Sequence, residues 1–245
     1  MENRVAVITG ASRGLGRAIA IDLAAHATHV ILAARDVASL DAVAQSIGAG
    51  AATVVAADVS DPAGMQALVD HAVGQFGRLD VFVNNAGVAP QSSVEQTTDQ
   101  EWARVVDINL NAAFRSARAL APVYREAGSG RLINIASVFG LLGRSGFGAY
   151  GASKAGLINL SRVLAAEWAK FGAQVNVVAP GYISTDINAE IRENEAFMKR
   201  VVSRIPAKRM GEAHEVANLV RYLALDAPDF LTGQVIAIDG GESAS

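Results

Sequence analysis

A chain of 245 residues, 51% hydrophobic and 18% charged, holds enough apolar material for a substantial core and too little charge for disorder. Its formal net charge of −3 leaves no basic footprint for nucleic acid or an anionic membrane, and no apolar stretch approaches the ~20 residues of a membrane span. With no cysteine there is neither disulfide nor thiolate chemistry, and Met1-Glu2-Asn3-Arg4 leads straight into an apolar run with no room for a signal peptide, so the expectation is a soluble cytoplasmic protein.

Arg4-Val5-Ala6-Val7-Ile8-Thr9 reads as a short buried strand. Gly10-Ala11-Ser12-Arg13-Gly14-Leu15-Gly16 follows directly, and Arg17 to Ala27 reads as a helix. Strand, glycine-rich turn and helix form a dinucleotide-binding signature, although the spacing Thr-Gly-x-x-x-Gly-x-Gly differs from G-x-G-x-x-G. The glycines let the backbone approach a pyrophosphate, and the helix amino terminus favours its negative charge. Further strands are expected at His29–Ala34, Thr53–Ala57, Val81–Asn84, Arg131–Ala136, Gln174–Ala179 and Val235–Asp239. Helical segments lie between them, one opened by Asp61-Pro62 as N-cap and first-turn proline. This alternation implies an α/β fold, one doubly wound domain over 1–245 with a parallel seven-stranded sheet and helices on both faces. Right-handed crossovers put the strands' carboxyl ends on one edge, where the segments at Gly10, Asp58, Asn84, Ser137 and Pro180 converge. The exception to the alternation is 182–212, rich in charge (Glu190, Arg192, Glu193, Glu195, Lys199, Arg200), which reads either as a solvated helical excursion or as a functional segment.

Tyr150 and Lys154 carry the chemistry. Four residues apart on a helix, they project from one face, so the ammonium can sit beside the phenol. A free Tyr titrates near pH ~10, and a nearby positive charge is expected to lower that value and make the phenol a usable acid/base. Ser137, at the end of a buried strand, places a hydroxyl where open α/β sheets bind ligands. The four histidines are scattered and no paired carboxylates occur, so no metal is expected. In the glycine-rich turn Arg13 is a cation placed for phosphate, and Arg35 follows the second strand, where an adenosine ribose arrives. Ala34 stands where an acidic ribose ligand would favour NAD, so Arg13 and Arg35 are expected to clamp a 2′-phosphate and favour NADP(H). Asp36, two positions on, leaves NAD(H) open as the alternative.

In order, Thr9-Gly10-x-x-x-Gly14-x-Gly16, Asp58, Asn84-Asn85-Ala86-Gly87, Asn109, Ser137, Tyr150-x-x-x-Lys154 and Pro180-Gly181-x-x-x-Thr185 resemble the short-chain dehydrogenase/reductase family, from about Arg4 to Gly241. The resemblance implies a Rossmann-type domain, hydride transfer between a nicotinamide and a carbonyl or secondary alcohol, and Ser137, Tyr150, Lys154 and Asn109 as catalytic residues. Asn109 would hold a water near Lys154, and Lys154 would also hold the nicotinamide ribose. Cofactor contacts are implied at Gly10, Ser12, Arg13, Gly14, Leu15, Gly16, Arg35, Asp58, Val59, Asn85, Ala86, Gly87, Tyr150, Lys154, Pro180, Gly181, Ile183 and Thr185. Asp58 and Val59 would face the adenine, and Asn84 is structural as much as binding. Substrate contacts are expected from Gln91, Ser137, Phe139, Arg144, Phe147, Tyr150 and Tyr182, under a lid formed by 182–212.

The substrate stays open between a 3-oxoacyl group on an acidic carrier protein, a sugar acid of the gluconate 5-dehydrogenase kind, and a xenobiotic ketone. The carrier-binding basic positions are Gly128 and Phe171 here, with Arg125, Arg131 and Lys170 nearby. A non-catalytic cofactor sensor is the alternative of another class, and the presence of both Tyr150 and Lys154 argues against it. The resemblance implies a homotetramer. In support, the helix of Tyr150 continues through Leu157, Ile158, Leu160, Val163, Leu164, Ala165, Ala166 and Trp168, apolar around more than one face, and Val235 to Gly241 reads as an edge strand.

Overall fold

The computed structural model describes residues 4–186 and 193–244, the Phe197 side chain apart. Part of the expected lid, 187–192 with Glu190 and Arg192, therefore lies outside the described residues. Seven parallel strands form one sheet: β1 (Arg4–Thr9), β2 (Thr28–Ala34), β3 (Ala52–Ala56), β4 (Val81–Asn84), β5 (Gly130–Ile135), β6 (Ala173–Pro180) and β9 (Val235–Ile238). Their order is β3-β2-β1-β4-β5-β6-β9, so the winding reverses between β1 and β4 and opens a crevice at their carboxyl ends. Two short strands, β7 (Ile183–Ser184) and β8 (Gly211–Glu212), pair separately.

The helices are α1 (Gly14–Ala24), α2 (Val37–Ile47), α3 (Pro62–Phe76), α4 (Asp99–Val106), α5 (Ala112–Ala127), α6 (Gly148–Trp168), α7 (Glu195–Arg204) and α8 (Ala213–Arg221). Alternation along β1 shows how they cover the sheet. Val5 and Val7 enter a core with Met65 and Leu68 of α3, Leu120 and Tyr124 of α5, and Leu164 and Trp168 of α6. Ala6 and Ile8 enter the other core, with Ile19 and Leu23 of α1, Leu40 of α2 and Val216 and Val220 of α8. Both faces are dry, which is why these strands read as unbroken apolar runs. Each large side chain so buried contributes about 1.5–3 kcal/mol. Among the described residues no helix is long and apolar enough to cross a membrane.

Two helix expectations are corrected. The first helix starts at Gly14 and stops at Ala24, and Ala27 has a left-handed φ of 54° that ends any continuation. The helical segment expected between β4 and β5 is not one regular helix: it runs from Asp99 to Ala127 and is interrupted by a π-turn at Asp107–Asn111.

A polar ladder crosses the apolar layer beneath the crevice. Asn84 Nδ2 donates to Asn134 Oδ1 (2.7 Å) and Ser116 Oγ (2.8 Å), and Asn134 Nδ2 donates to Ser161 Oγ (2.8 Å). Ser116 and Ser161 donate to carbonyls of their own helices, so this buried chain joins β4, β5, α5 and α6 with its amide donors used. At the opposite edge, Arg131 donates to Leu223 O and Ala227 O (both 2.8 Å) and pairs with Asp229. It thereby satisfies backbone carbonyls around a second π-turn, Tyr222–Asp226.

Candidate active site

The glycine-rich turn is fastened to the end of β4. Thr9 Oγ1 accepts from Asn85 N (3.0 Å) and Ala86 N (3.1 Å), while Asn85 Nδ2 donates to Thr9 O (3.0 Å) and Gly10 O (3.2 Å). A Cβ on Gly16 would stand 2.3 Å from Gly10 O and 2.5 Å from Asn85 Nδ2, so only glycine fits. Gly10 itself has φ +65°, and a Cβ there would lie 2.9 Å from Ala86 Cα. The first N–H of α1, on Gly14, donates to Asp186 Oδ1 at 3.0 Å. This helix terminus thus already attracts an anion, the preference a pyrophosphate would meet. The cradle fits a dinucleotide.

Around it, Ser12 is half-buried, Arg13 is exposed, and Leu15 packs its side chain on the core. Asp58 accepts from Ser60 N (2.9 Å) and Oγ (2.7 Å), and these bonds, with the nearby Arg35 cation, hold its carboxyl below the usual range. Asp36 is the N-cap of α2, accepting from Ser39 N (3.3 Å) and Ser39 Oγ (2.5 Å), so its carboxylate already serves the helix. Val59 lies near the crevice floor. Gly181 donates to Ile238 O (3.0 Å) at the end of β6, and a Cβ on it would meet Asp239 at 2.8 Å. Beyond it Ile183 is buried in β7 and Thr185 is half-buried.

Tyr150, Ser137 and Lys154 meet at the same edge. Ser137, two residues beyond β5, caps a 3-10 turn by accepting from Phe139 N (3.1 Å) and hydrogen-bonds the Tyr150 phenol. Lys154 Nζ is buried, donates to Ile135 O (2.7 Å) and stands 5.7 Å from the Tyr150 ring centre. Burial lowers its pKa to about 8. Burial also raises the Tyr150 pKa, against the opposing effect of Ser137. The expected lowering by Lys154 is therefore not found: the shift is upward, set by desolvation of the phenolate against the Ser137 hydrogen bond alone.

The π-turn turns Asn109 inward. Its amide donates to Val88 O (2.9 Å) and Ser153 Oγ (3.0 Å) and accepts from Val88 N (2.9 Å). Next to it, Thr9, Asn84, Asn109 and Lys154 help line a cavity of about 10 Å³, close to the least that holds one water. Gly87 belongs to this group, for a Cβ there would lie 3.1 Å from Asn109 Oδ1 and 3.5 Å from Lys154 Nζ.

Outward of the phenol lies an aromatic wall. Phe139 and Phe147 each stand 6.3 Å from the Tyr150 ring, and Tyr182 packs edge-on to Phe139 at 5.8 Å. Arg144 stacks over Phe139 at 5.2 Å. Gln91 is exposed with its side chain against Gly146, where the Ser92 and Phe147 backbones bridge.

Comparison with known proteins gives these residues a family. The sequence profile described as Enoyl-(Acyl carrier protein) reductase matches residues 10–243. The 3-oxoacyl-(acyl-carrier-protein) reductase FabG of Escherichia coli (strain K12) is 38% identical over 240 residues, covering 98% of this chain and 97% of its own. The chain belongs to the short-chain dehydrogenase/reductase family. Among solved structures, this short-chain dehydrogenase/reductase superposes on levodione reductase with a TM-score of 0.92 at 37% identity, covering 99% of this chain and 98% of the other. A candidate NAD(P)-dependent gluconate 5-dehydrogenase from Beutenbergia cavernae, crystallised with NADP at low occupancy, gives 0.92 at 37% identity and covers 99% and 97%.

Sequence reasoning for this dehydrogenase/reductase missed two neighbours of the site. Ser153 links Asn109 to the Tyr150 carbonyl, a contact hidden inside Tyr150-x-x-x-Lys154. Glu242 pairs with Arg144 across a sequence separation of 98 residues, and the only hint is Gly240-Gly241, which turns the chain back after β9. The three basic residues considered for a carrier do not join the site. Arg131 holds backbone carbonyls, Arg125 stacks on Phe171 at 5.4 Å, and Lys170 follows α6, all at the amino-terminal side of β5 and β6.

Proposed function

We propose that this oxidoreductase is an NADP(H)-dependent reductase of ketones, reversibly interconverting a carbonyl and a secondary alcohol, with Tyr150 as proton donor. One observation carries the reading: a phenol held protonated by burial, bonded to Ser137, beside Lys154 and on the same sheet edge as the glycine cradle. A bound nicotinamide would supply the hydride. The Gly10–Gly16 turn with Ser12 and Arg13 would hold the pyrophosphate, Asp58 and Val59 the adenine, and Asn85, Ala86, Gly87, Pro180, Gly181, Ile183 and Thr185 the nicotinamide half. Tyr150 donates its proton to the carbonyl oxygen as negative charge develops there, and the Ser137 hydroxyl donates to the same oxygen. Lys154 keeps a cation near the emerging phenolate, and the small cavity beside Asn109 gives a water from which the proton is replaced. The described part of the expected lid, 182–186 and 193–212, would cover the site through Tyr182, and the cytoplasm is the proposed compartment.

A 3-oxoacyl thioester is the first substrate reading, supported by the FabG relatives. A free diketone or keto sugar acid is the second, favoured by the engagement of Arg131 elsewhere and by the gluconate and levodione neighbours. The test is NADPH oxidation with acetoacetyl thioesters, 5-ketogluconate, cyclic diketones and aryl ketones, repeated with NADH. Turnover on at least one ketone, lowered about 10²–10⁴-fold by Tyr150→Phe with cofactor binding kept, is the expected result. Near-normal rates in that variant would refute the proton-donor role.

A further inference from the structure

The substrate end of the site holds an ion pair that hydride transfer does not use. After β9 the chain turns through Gly240 (φ 64°) and Gly241 (φ 91°) into a 3-10 turn that starts at Glu242. Glu242 is 5% exposed, and its carboxylate meets the guanidinium of Arg144 in the loop before α6. Arg144 in turn stacks on Phe139 at 5.2 Å and faces the Tyr182 ring at 6.0 Å. Phe139 packs edge-on against Tyr150, so the pair stands one aromatic ring from the phenol.

Arg144 Nε is buried and has no hydrogen-bond acceptor among the described residues. Buried N–H groups are nearly always paired, so an unpaired donor one aromatic ring from the phenol is a place where a substrate oxygen can supply the missing acceptor. The charge of the pair decides what it takes. Glu242 already neutralises Arg144, and in a partly dry site a substrate carboxylate would meet one cation and one anion together. An uncharged oxygen accepts from Nε without that repulsion.

We propose that Arg144 is a specificity-determining donor to an uncharged oxygen on the substrate, a second carbonyl or a hydroxyl, and that Glu242 is the positioning residue that aims it and disfavours carboxylates. This rests on the reading of Tyr150 as proton donor to a ketone. The C-terminal turn is also fixed to the segment beside the lid helix, for Ala207 N donates to Gly240 O (3.0 Å) and the Gly241 backbone lies against Pro206. The aim of Arg144 is thus set together with that segment.

The test uses 2,4-pentanedione and acetoacetate, which share a skeleton and differ in the second group, methyl ketone against carboxylate. Calorimetric titration into the NADP⁺-loaded enzyme reads binding without turnover. Wild type should bind the diketone about tenfold more tightly, and Glu242→Gln should narrow that ratio about tenfold by tightening acetoacetate, while Glu242→Asp keeps the wild-type order. Arg144→Met should weaken the diketone about tenfold. An unchanged ratio in Glu242→Gln, a wild-type preference for acetoacetate, or binding of neither ligand would overturn the proposal. If Glu242→Gln fails to fold, unchanged diketone affinity in Arg144→Met overturns it alone. Binding in the expected order with no ketone reduced would sink the Tyr150 reading and leave the Arg144 site standing.

Discussion

Lys154 is a buried ammonium, and its titration should be visible in the stability of the whole protein. Its folded pKa, about 8, is below the ordinary value of 10.5. Between those values the unfolded chain binds the proton that the folded one has released, so stability should rise as pH increases from about 8 towards 10. The sign is opposite to that of a lysine stabilised by a partner. Urea unfolding of the cofactor-free protein should show this rise, and Lys154→Met should flatten it; an equal slope in both would mean that Lys154 is charged at no cost. Above about 10 the raised Tyr150 acts the other way, since the unfolded phenol then ionises first. Cofactor choice is a second question of single residues. Arg13 and Arg35 are exposed cations, Ala34 is neutral, and Asp36 has its carboxylate on Ser39. Ala34→Asp should therefore shift the ratio of kcat/KM for NADPH over NADH by about tenfold or more towards NADH, through repulsion of the 2′-phosphate. A wild type that already prefers NADH would show that Asp36 leaves its capping role to bind the ribose.

The elements are joined beneath the crevice by the Asn84, Asn134, Ser116 and Ser161 ladder, which puts amide groups where the surrounding sheet and helices are apolar. Asn134→Leu would leave Asn84 Nδ2 short of one acceptor and Ser161 Oγ without its donor. Buried groups stripped of partners cost about 1–3 kcal/mol each, so this substitution should lower stability by about 2–6 kcal/mol in urea unfolding. A loss below about 1 kcal/mol would mean that the ladder relaxes or takes up water. Asn134 lay inside a run read as a buried strand, and nothing in its neighbours announced that it faced Asn84. The seven strands of the main sheet were legible to within a residue because both sheet faces are buried, which leaves β-branched runs such as Val5 to Thr9 bounded by glycine or acid, whereas the two-residue strands β7 and β8 were not. Gly10, Gly16 and Asp61 were legible for similar reasons, since a close backbone approach and an N-cap each demand particular residue types. The π-turn at Asp107–Asn111 was not legible, because one extra residue in a helical turn leaves the apolar spacing on either side almost intact. The direction of the Tyr150 shift escaped too, since a sequence shows that Lys154 is near but not how much water Tyr150 has lost.

At the scale of the whole molecule, the question is which surface remains to be covered. Most of the apolar surface expected to be spare on α6 is internal: Leu157, Ile158, Leu164, Ala165 and Trp168 are buried against the sheet and neighbouring helices. What stays outward is a narrower stripe of Ala152, Ala155, Asn159, Val163 and Ala166, with Val163 47% exposed. Phe114 on α5 is 50% exposed and Trp102 on α4 is 45% exposed. The far end of the sheet is β9, which among the described residues pairs only with β6 and leaves its other edge open. Small residues along a helix let an identical helix approach closely, and an open parallel edge calls for cover by a neighbour. Two such separate faces, if each pairs with its own copy about a two-fold axis, would give four copies rather than two. Light scattering at micromolar concentration should report about four times the 25.4 kDa chain mass. Val163→Asp, placed on the α6 stripe and away from the buried side of that helix, should reduce the mass to half or less while the circular dichroism stays native. A monomeric wild type with full turnover would show that these apolar faces are tolerated in water, and the tetramer would then have no support in this chain.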